Sequence, residues 1–363
     1  MIGVVACSRP PAAPVAPAAD RVAIVVAERG DHGIHLVGID EHGDRQFELV
    51  RAADEQARDT NPAISPDGKW IVFASSRGRP IAETNLWIAR TLPDALAAPL
   101  THGIAIASSA VPGEAAPPNG GAPVIDSHPV WRPDGRGIVF DSTRAHGDYD
   151  LYELAIHDGR ATGEPVAITN APGHEITPTI ARDGTIIYDA IRPLEGDNVE
   201  SHLEARRPDG TIETLTEGPA DVSPALSPDQ TQIAFARPAE HAGVLDNELW
   251  IMPRAGGDAE RLVDVTLTDE AGPVWSADGR FVFATSLLRG ARGNVLFSSV
   301  IVVDLTQHPR VARILEDRTG PIARITPALA PIALDAPALD ADPEYLSELA
   351  RITAKAAAAN PPP

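Results

Sequence analysis

The chain has 363 residues, with 51 acidic against 30 basic side chains and a formal charge of −21. That balance disfavours nucleic acid and an anionic bilayer surface as partners, because both call for a basic patch. Prolines (35) and glycines (29) make turns abundant. No run of about 18 apolar residues offers a membrane-spanning helix, and a lone cysteine excludes an intramolecular disulfide.

Residues 1–20 come first. MIGVVACS places Val4, Val5 and Ala6 ahead of Cys7. This resembles a bacterial lipobox, with Val4 where leucine is usual. The resemblance implies lipid attachment at Cys7, export to the periplasmic side of the cell envelope and, with Ser8 next, sorting to the outer membrane. The apolar stretch before Cys7 is short for a secretory signal, so this reading expects a leader that begins upstream of Met1. RPPAAPVAPAAD (9–20) is proline-rich and extended, a tether of roughly 35–40 Å.

From residue 21 the chain reads as β-strands. VAIVVA, IHLVGID and RQFELV, within 22–50, fit the second, third and fourth strands of a unit that lacks its first. A pattern then opens at Pro62 and returns at Pro129, Pro178, Pro224 and Pro273. Each proline is followed by a turn: SPDG (65–68), RPDG (132–135), ARDG (181–184), SPDQ (227–230) and SADG (276–279). Proline presets the second turn position, Ser and Asp hydrogen-bond locally, and Gly accepts the fourth. Pro66, Asp67, Gly68, Pro133, Asp134, Gly135, Asp183, Gly184, Pro228, Asp229, Asp278 and Gly279 are therefore assigned structural turn roles.

A β-rich run follows every turn: WIVFASS, GIVFDST, TIIYDA, QIAFARP and FVFATS. Most units add a third strand (NLWIAR, DLYELAI, ELWIMPR, NVLFSSVIVVDL), and several a short fourth (APLT, VAIT, ETLT, ERLV). The prolines lie 67, 49, 46 and 49 residues apart. The insertion 102–126 accounts for the long interval, and its Ala, Pro and Gly content predicts an exposed loop. Meanders of this length are typical of propeller blades. Near the other end, ITPALAPIAL (325–334) echoes VSPALSP (222–228) and supplies the missing first strand for residues 22–50. The expectation is an all-β protein. Residues 21–335 form a six-bladed β-propeller of four-stranded antiparallel blades, closed by N- and C-terminal strands that share one blade. The tail 336–363 is Ala/Pro-rich, with a short helix predicted over 344–359.

The pattern P-x-x-S-P-D-G-K-x-I-x-F at 62–73, with its apolar strand at 85–90, recurs at 224–235 with 248–254. It resembles the TolB-like, PD40 (WD40-like) class of β-propeller repeats, over roughly residues 21–335. That family's best-known member is periplasmic and assists a cell-envelope complex by binding partner proteins. The resemblance therefore implies a non-enzymatic scaffold, without a cofactor, that holds a protein or peptide on its rim or channel face as a monomer. Any membrane contact runs through the lipid anchor alone.

Catalytic patterns are thin. There is no G-x-S-x-G elbow, and HEITP (174–178) lacks the second histidine of H-E-x-x-H. His128 and His174 lie near the starts of the innermost strands of neighbouring units, and are the only metal candidates. A pair falls short of the three protein ligands a catalytic metal usually takes. They carry the alternative expectation, a metal-dependent lyase or hydrolase acting on a saccharide or small ester in the channel. Trp70, Trp87, Trp131, Trp250 and Trp275 sit in repeat strands and read as inter-blade core.

Overall fold

Valine, isoleucine and phenylalanine dominate the run after each turn, and every such run is paired into antiparallel sheet. The computed structural model describes residues 24–329, apart from 31–32, 40–42, 52–55, 81–82, 103–122, 146, 196–197, 219, 242–243, 264, 266–267, 291–293 and 316–322. The lipobox and tether, most of the insertion and the C-terminal tail lie outside the described residues.

Six sheets result, numbered here as blades from the innermost strand outward. Blade 2 contains Asp59–Ile64, Trp70–Ser75, Asn85–Arg90 and Ala98–Pro99. Blade 3 contains Asp126–Trp131, Gly137–Ser142 and Asp150–His157, with Arg160–Ala161 and Val166–Ala167 both on its third strand. Blade 4 runs His174–Ile180, Ile186–Pro193, Val199–Arg206 and Ile212–Thr214. Blade 5 runs Val222–Leu226, Gln232–His241, Val244–Pro253 and Glu260–Arg261. Blade 6 runs Thr268–Trp275, Phe281–Arg289, Val295–Asp304 and Ala312–Leu315. Two of these strands, Val199–Arg206 and Ala312–Leu315, carry no clear apolar alternation and escape a sequence reading.

Blade 1 is the hybrid. Its outer strands are Ile24–Arg29, Ile34–Ile39 and Arg45–Glu48, and its innermost strand is Arg324–Leu329. Ile24 pairs with Leu329, Val25 with Ala328 and Glu28 with Arg324. The ring is shut by packing as well as by pairing. Each of six apolar clusters is shared by two consecutive blades. One joins Ile24, Val26, Val37 and Ile39 of blade 1 to Phe281, Phe283, Val300 and Val302 of blade 6. Odd and even residues of a strand thus serve different interfaces: Val25, Ala27 and Leu36 pack instead against Ile71 and Phe73 of blade 2. Burial on both faces explains the continuous apolar runs.

A buried charge recurs three residues ahead of each repeat proline: Asp59, Asp126, Glu175, Asp221, Glu270 and, in the hybrid blade, Arg324, all at most 1% exposed. In blades 2 to 5 an arginine in the second strand, or two residues past its end, clasps the acid: Arg77 on Asp59, Arg144 on Asp126, Arg192 on Glu175 and Arg237 on Asp221. Arg77 is held over the rings of Phe73 and Trp87, Arg144 over Phe140 and Tyr152, and Arg237 over Phe235 and Trp250. The aromatic residue of the third strand is therefore one wall of an arginine slot. In blade 1 the charges are exchanged, and Arg324 donates to Glu28 from Nε at 3.0 Å and Nη2 at 2.9 Å. Two other tryptophans bridge blades: the indole N–H of Trp131 donates to Ala63 O, and that of Trp275 to Ala225 O, each at 3.0 Å.

Candidate functional site

The residue before each repeat proline has a left-handed backbone. Asn61 (φ 50°), His128 (41°), Thr177 (49°), Ser223 (57°), Gly272 (59°) and Thr326 (48°) occupy the same place in six successive blades. Side chains other than glycine pay about 1–2 kcal/mol for this conformation, and a following proline disfavours it further. The strain is held by the ladder. The register of each innermost strand slips at this point, as between Ser127 and Val130 or Ile176 and Thr179. Several of the freed amides donate across to the neighbouring blade. Thr177 N–H reaches Asp141 Oδ1 at 3.2 Å, Ser223 N–H reaches Asp189 Oδ1 at 2.7 Å and Thr326 N–H reaches Thr285 Oγ1 at 2.9 Å.

These bulges turn five polar side chains and one glycine into a single level of the central channel, backed by a ring of six prolines. The channel is a cavity of about 900 Å³. At one end Ser65, Pro66, Val130, Trp131, Ala225, Val274 and Leu329 line it, next to the repeat turns. At the other end Arg29, Gly30, Arg58, Leu287, Val295 and Ser298 line it. No aspartate or glutamate is among the described lining residues. The flanks of the insertion rejoin the ring at this second end, where the Thr101 hydroxyl donates to Asp126 Oδ2.

His128 is the most elaborated member of the polar level. Its Nδ1 hydrogen-bonds Asp141 Oδ1 at 2.8 Å, which leaves Nε2 as the unbonded ring nitrogen. The side chain keeps 37% of its surface open, while Asp141 is fully buried. Burial works against the imidazolium, but the charge and hydrogen bond of Asp141, with Asp189 behind, outweigh it and raise the His128 pKa above its ordinary value. Burial pushes Asp189 itself up to about 8. His174 has other work: its Nδ1 accepts the Tyr149 N–H at 3.1 Å, and the two rings meet edge to face. The two histidines thus bind separate partners, and among the described residues no group of three His, Cys, Asp or Glu is arranged to hold a metal ion. Glu175 of HEITP is a clasp acid, bound by Arg192.

The assigned turn residues lie at the far end, in hydrogen-bonded turns. Ser65 Oγ donates to Asp67 Oδ1 at 2.7 Å, and the same contact recurs at Ser227–Asp229 and Ser276–Asp278 at 2.6 Å. The fourth turn position is left-handed at Gly68, Gly135, Gly184, Gly279 and also Gln230, so the glycine is preferred there and not obligatory. Sequence reasoning finds His128 but misses Asp141, Asp189, Arg29 and Arg58. The signal for the first two is an aspartate directly after the aromatic residue in FD (140–141) and YD (188–189), inside otherwise apolar strands.

No family model and no curated protein sequence matches the chain. Solved structures do. One is a protein described as a TolB from Agrobacterium tumefaciens, with 19% identity and a TM-score of 0.56 over 86% of this chain and 95% of that one. Another is TolB from Acinetobacter baumannii, with 16% identity and a TM-score of 0.57 over 85% of this chain and 66% of that one. A chain from a nidogen–laminin complex matches at 11% identity and a TM-score of 0.56, covering 85% of this chain and 98% of that one. At such identities the likeness is one of fold: this chain is built as a six-bladed propeller similar to those of TolB proteins.

Proposed function

We propose that the chain is a non-enzymatic binding protein of the cell envelope, held by a lipid at Cys7, that receives a protein or peptide partner in and around its channel. The observation that carries this reading is the channel itself. Strained residues at one level, fixed by neighbouring blades, make a rigid wall whose hydrogen-bonding side chains need no rearrangement to meet a ligand. The mixture of prolines, small apolar residues and a few polar groups suits an extended chain. The insertion, whose ends stand at one opening, is the natural second contact element. As a monomer the protein would present one such channel.

Two experiments test this. A photo-crosslinking residue placed at Ala225 or Ser223 in the channel is expected to trap a discrete partner in cells, while the same residue at exposed Ile212 on the outer edge is not. Adducts from Ile212 alone, or from no position, would remove the channel from consideration. Substituting Cys7→Ser is expected to move the protein from the membrane to the soluble fraction; unchanged fractionation would refute the anchor.

A further inference from the structure

A chain with 51 acids and 30 bases should line its cavities with acids more often than with bases. The channel does the reverse. Its described lining has no carboxylate, and its charged or chargeable members are Arg29, Arg58 and His128. The arginines matter most, because arginine elsewhere in the ring is usually committed: Arg77, Arg144, Arg192, Arg237 and Arg324 each sit on a buried acid. Arg29 and Arg58 are exposed, and neither guanidinium has an acid or hydrogen-bond partner among the described residues.

Their placement is a product of the blade 1 to blade 2 junction. Arg29 ends its strand opposite Ile34, and Ile34 is bridged on its other side by Arg58. The two arginines therefore flank one residue across two strand spacings, about 10 Å. An extended peptide rises about 3.3 Å per residue and turns alternate side chains to one face, so acids two or four residues apart, about 7 or 13 Å, would bracket that separation within the reach of two arginine side chains. Deeper in, beyond the arginines, the free Nε2 of His128 and the hydroxyls of Ser223 and Thr326 offer further hydrogen bonds to carboxylate or main-chain oxygens.

We infer that the opening marked by Arg29 and Arg58 selects an extended peptide segment rich in aspartate or glutamate, which enters there and runs toward the polar level of the channel. This rests on the peptide-binding reading above and adds its chemistry. The net charge of the molecule makes the inference sharp: long-range attraction to a chain of −21 favours basic peptides, so preference for acidic ones must come from local contacts.

The test is a selection from a random dodecamer peptide library on the full-length protein, followed by affinity measurement on the enriched peptides. Enrichment of Asp and Glu is expected. The Arg29→Gln/Arg58→Gln variant should bind the enriched peptides about tenfold more weakly, with the loss shrinking at high salt. A control, Arg136→Gln/Arg160→Gln, removes the same charge from exposed arginines of blade 3 and should bind as the parent does. Thermal melting of each variant checks that the ring is intact. Enriched peptides that are neutral or basic, or equal binding by both double variants, would overturn the acidic preference while leaving peptide binding standing. No enrichment of any peptide would overturn the peptide reading itself.

Discussion

Glu270 occupies the clasp position of blade 6 without a cation among the described residues. The arginine that follows in that blade, Arg289, pairs instead with Asp269. Among the described residues Glu270 receives only the Thr268 hydroxyl at 2.6 Å and the Ser286 hydroxyl at 3.0 Å, and burial pushes its pKa from 4.5 to about 8. A group whose pKa is raised in the folded state stabilises fully below its unfolded value, and that contribution is lost as pH climbs to the folded value. Glu270 should therefore weaken the fold progressively between pH 4.5 and about 8. In Glu270→Gln the amide does not titrate. The stability of the variant relative to the parent is expected to rise across that window, by up to about 1.4 kcal/mol per pH unit, and to level off above it. Urea unfolding of both proteins at several pH values checks this; a difference independent of pH would show that Glu270 stays in one protonation state.

At the scale of the element, the clasp ties the first strand to the second in blades 1 to 5, and in blades 2, 3 and 5 its arginine lies against the aromatic residue of the third. A fully buried acid stripped of its arginine is costly, of the order of 3–5 kcal/mol. Arg324→Ala should show a loss of that size in denaturant unfolding, because it leaves Glu28 inside and removes the donation from Arg324 Nη1 to Gly43 O. Arg207→Ala, which breaks the solvent-screened Arg207–Glu213 pair at the surface, should leave the unfolding curve nearly unchanged. Similar losses at the two sites would mean that the buried pair contributes no more than a surface one. The clasp is present in the sequence as an acid three residues ahead of proline, in DTNP, DSHP, EITP, DVSP and EAGP. It goes unnoticed when the repeat is taken to begin at the residue next to proline. EITP also sits inside HEITP, where attention falls on a failed zinc motif.

Across the whole molecule, the fold was legible because three local signals agree: proline, turn and apolar run return at nearly constant spacing. The shared blade was legible because residues 325–329 copy the start of another unit. The polar level was half legible. His128, Thr177 and Ser223 stand beside prolines, whereas Asp141 and Asp189 look like faults in apolar strands until the neighbouring amides are seen to need acceptors. Arg29 and Arg58 have no local pattern at all. They are 29 residues apart in sequence and meet only because blade 1 packs against blade 2.

The pairing of Ile24 with Leu329 has a directional corollary. Ile24 and Leu329, the first and last described residues, lie side by side at the face that carries the repeat turns, opposite the opening flanked by Arg29 and Arg58. Under the anchor proposed at Cys7, the tether would join the toroid on that face, which leaves the guanidinium-bearing orifice on the side opposite the join.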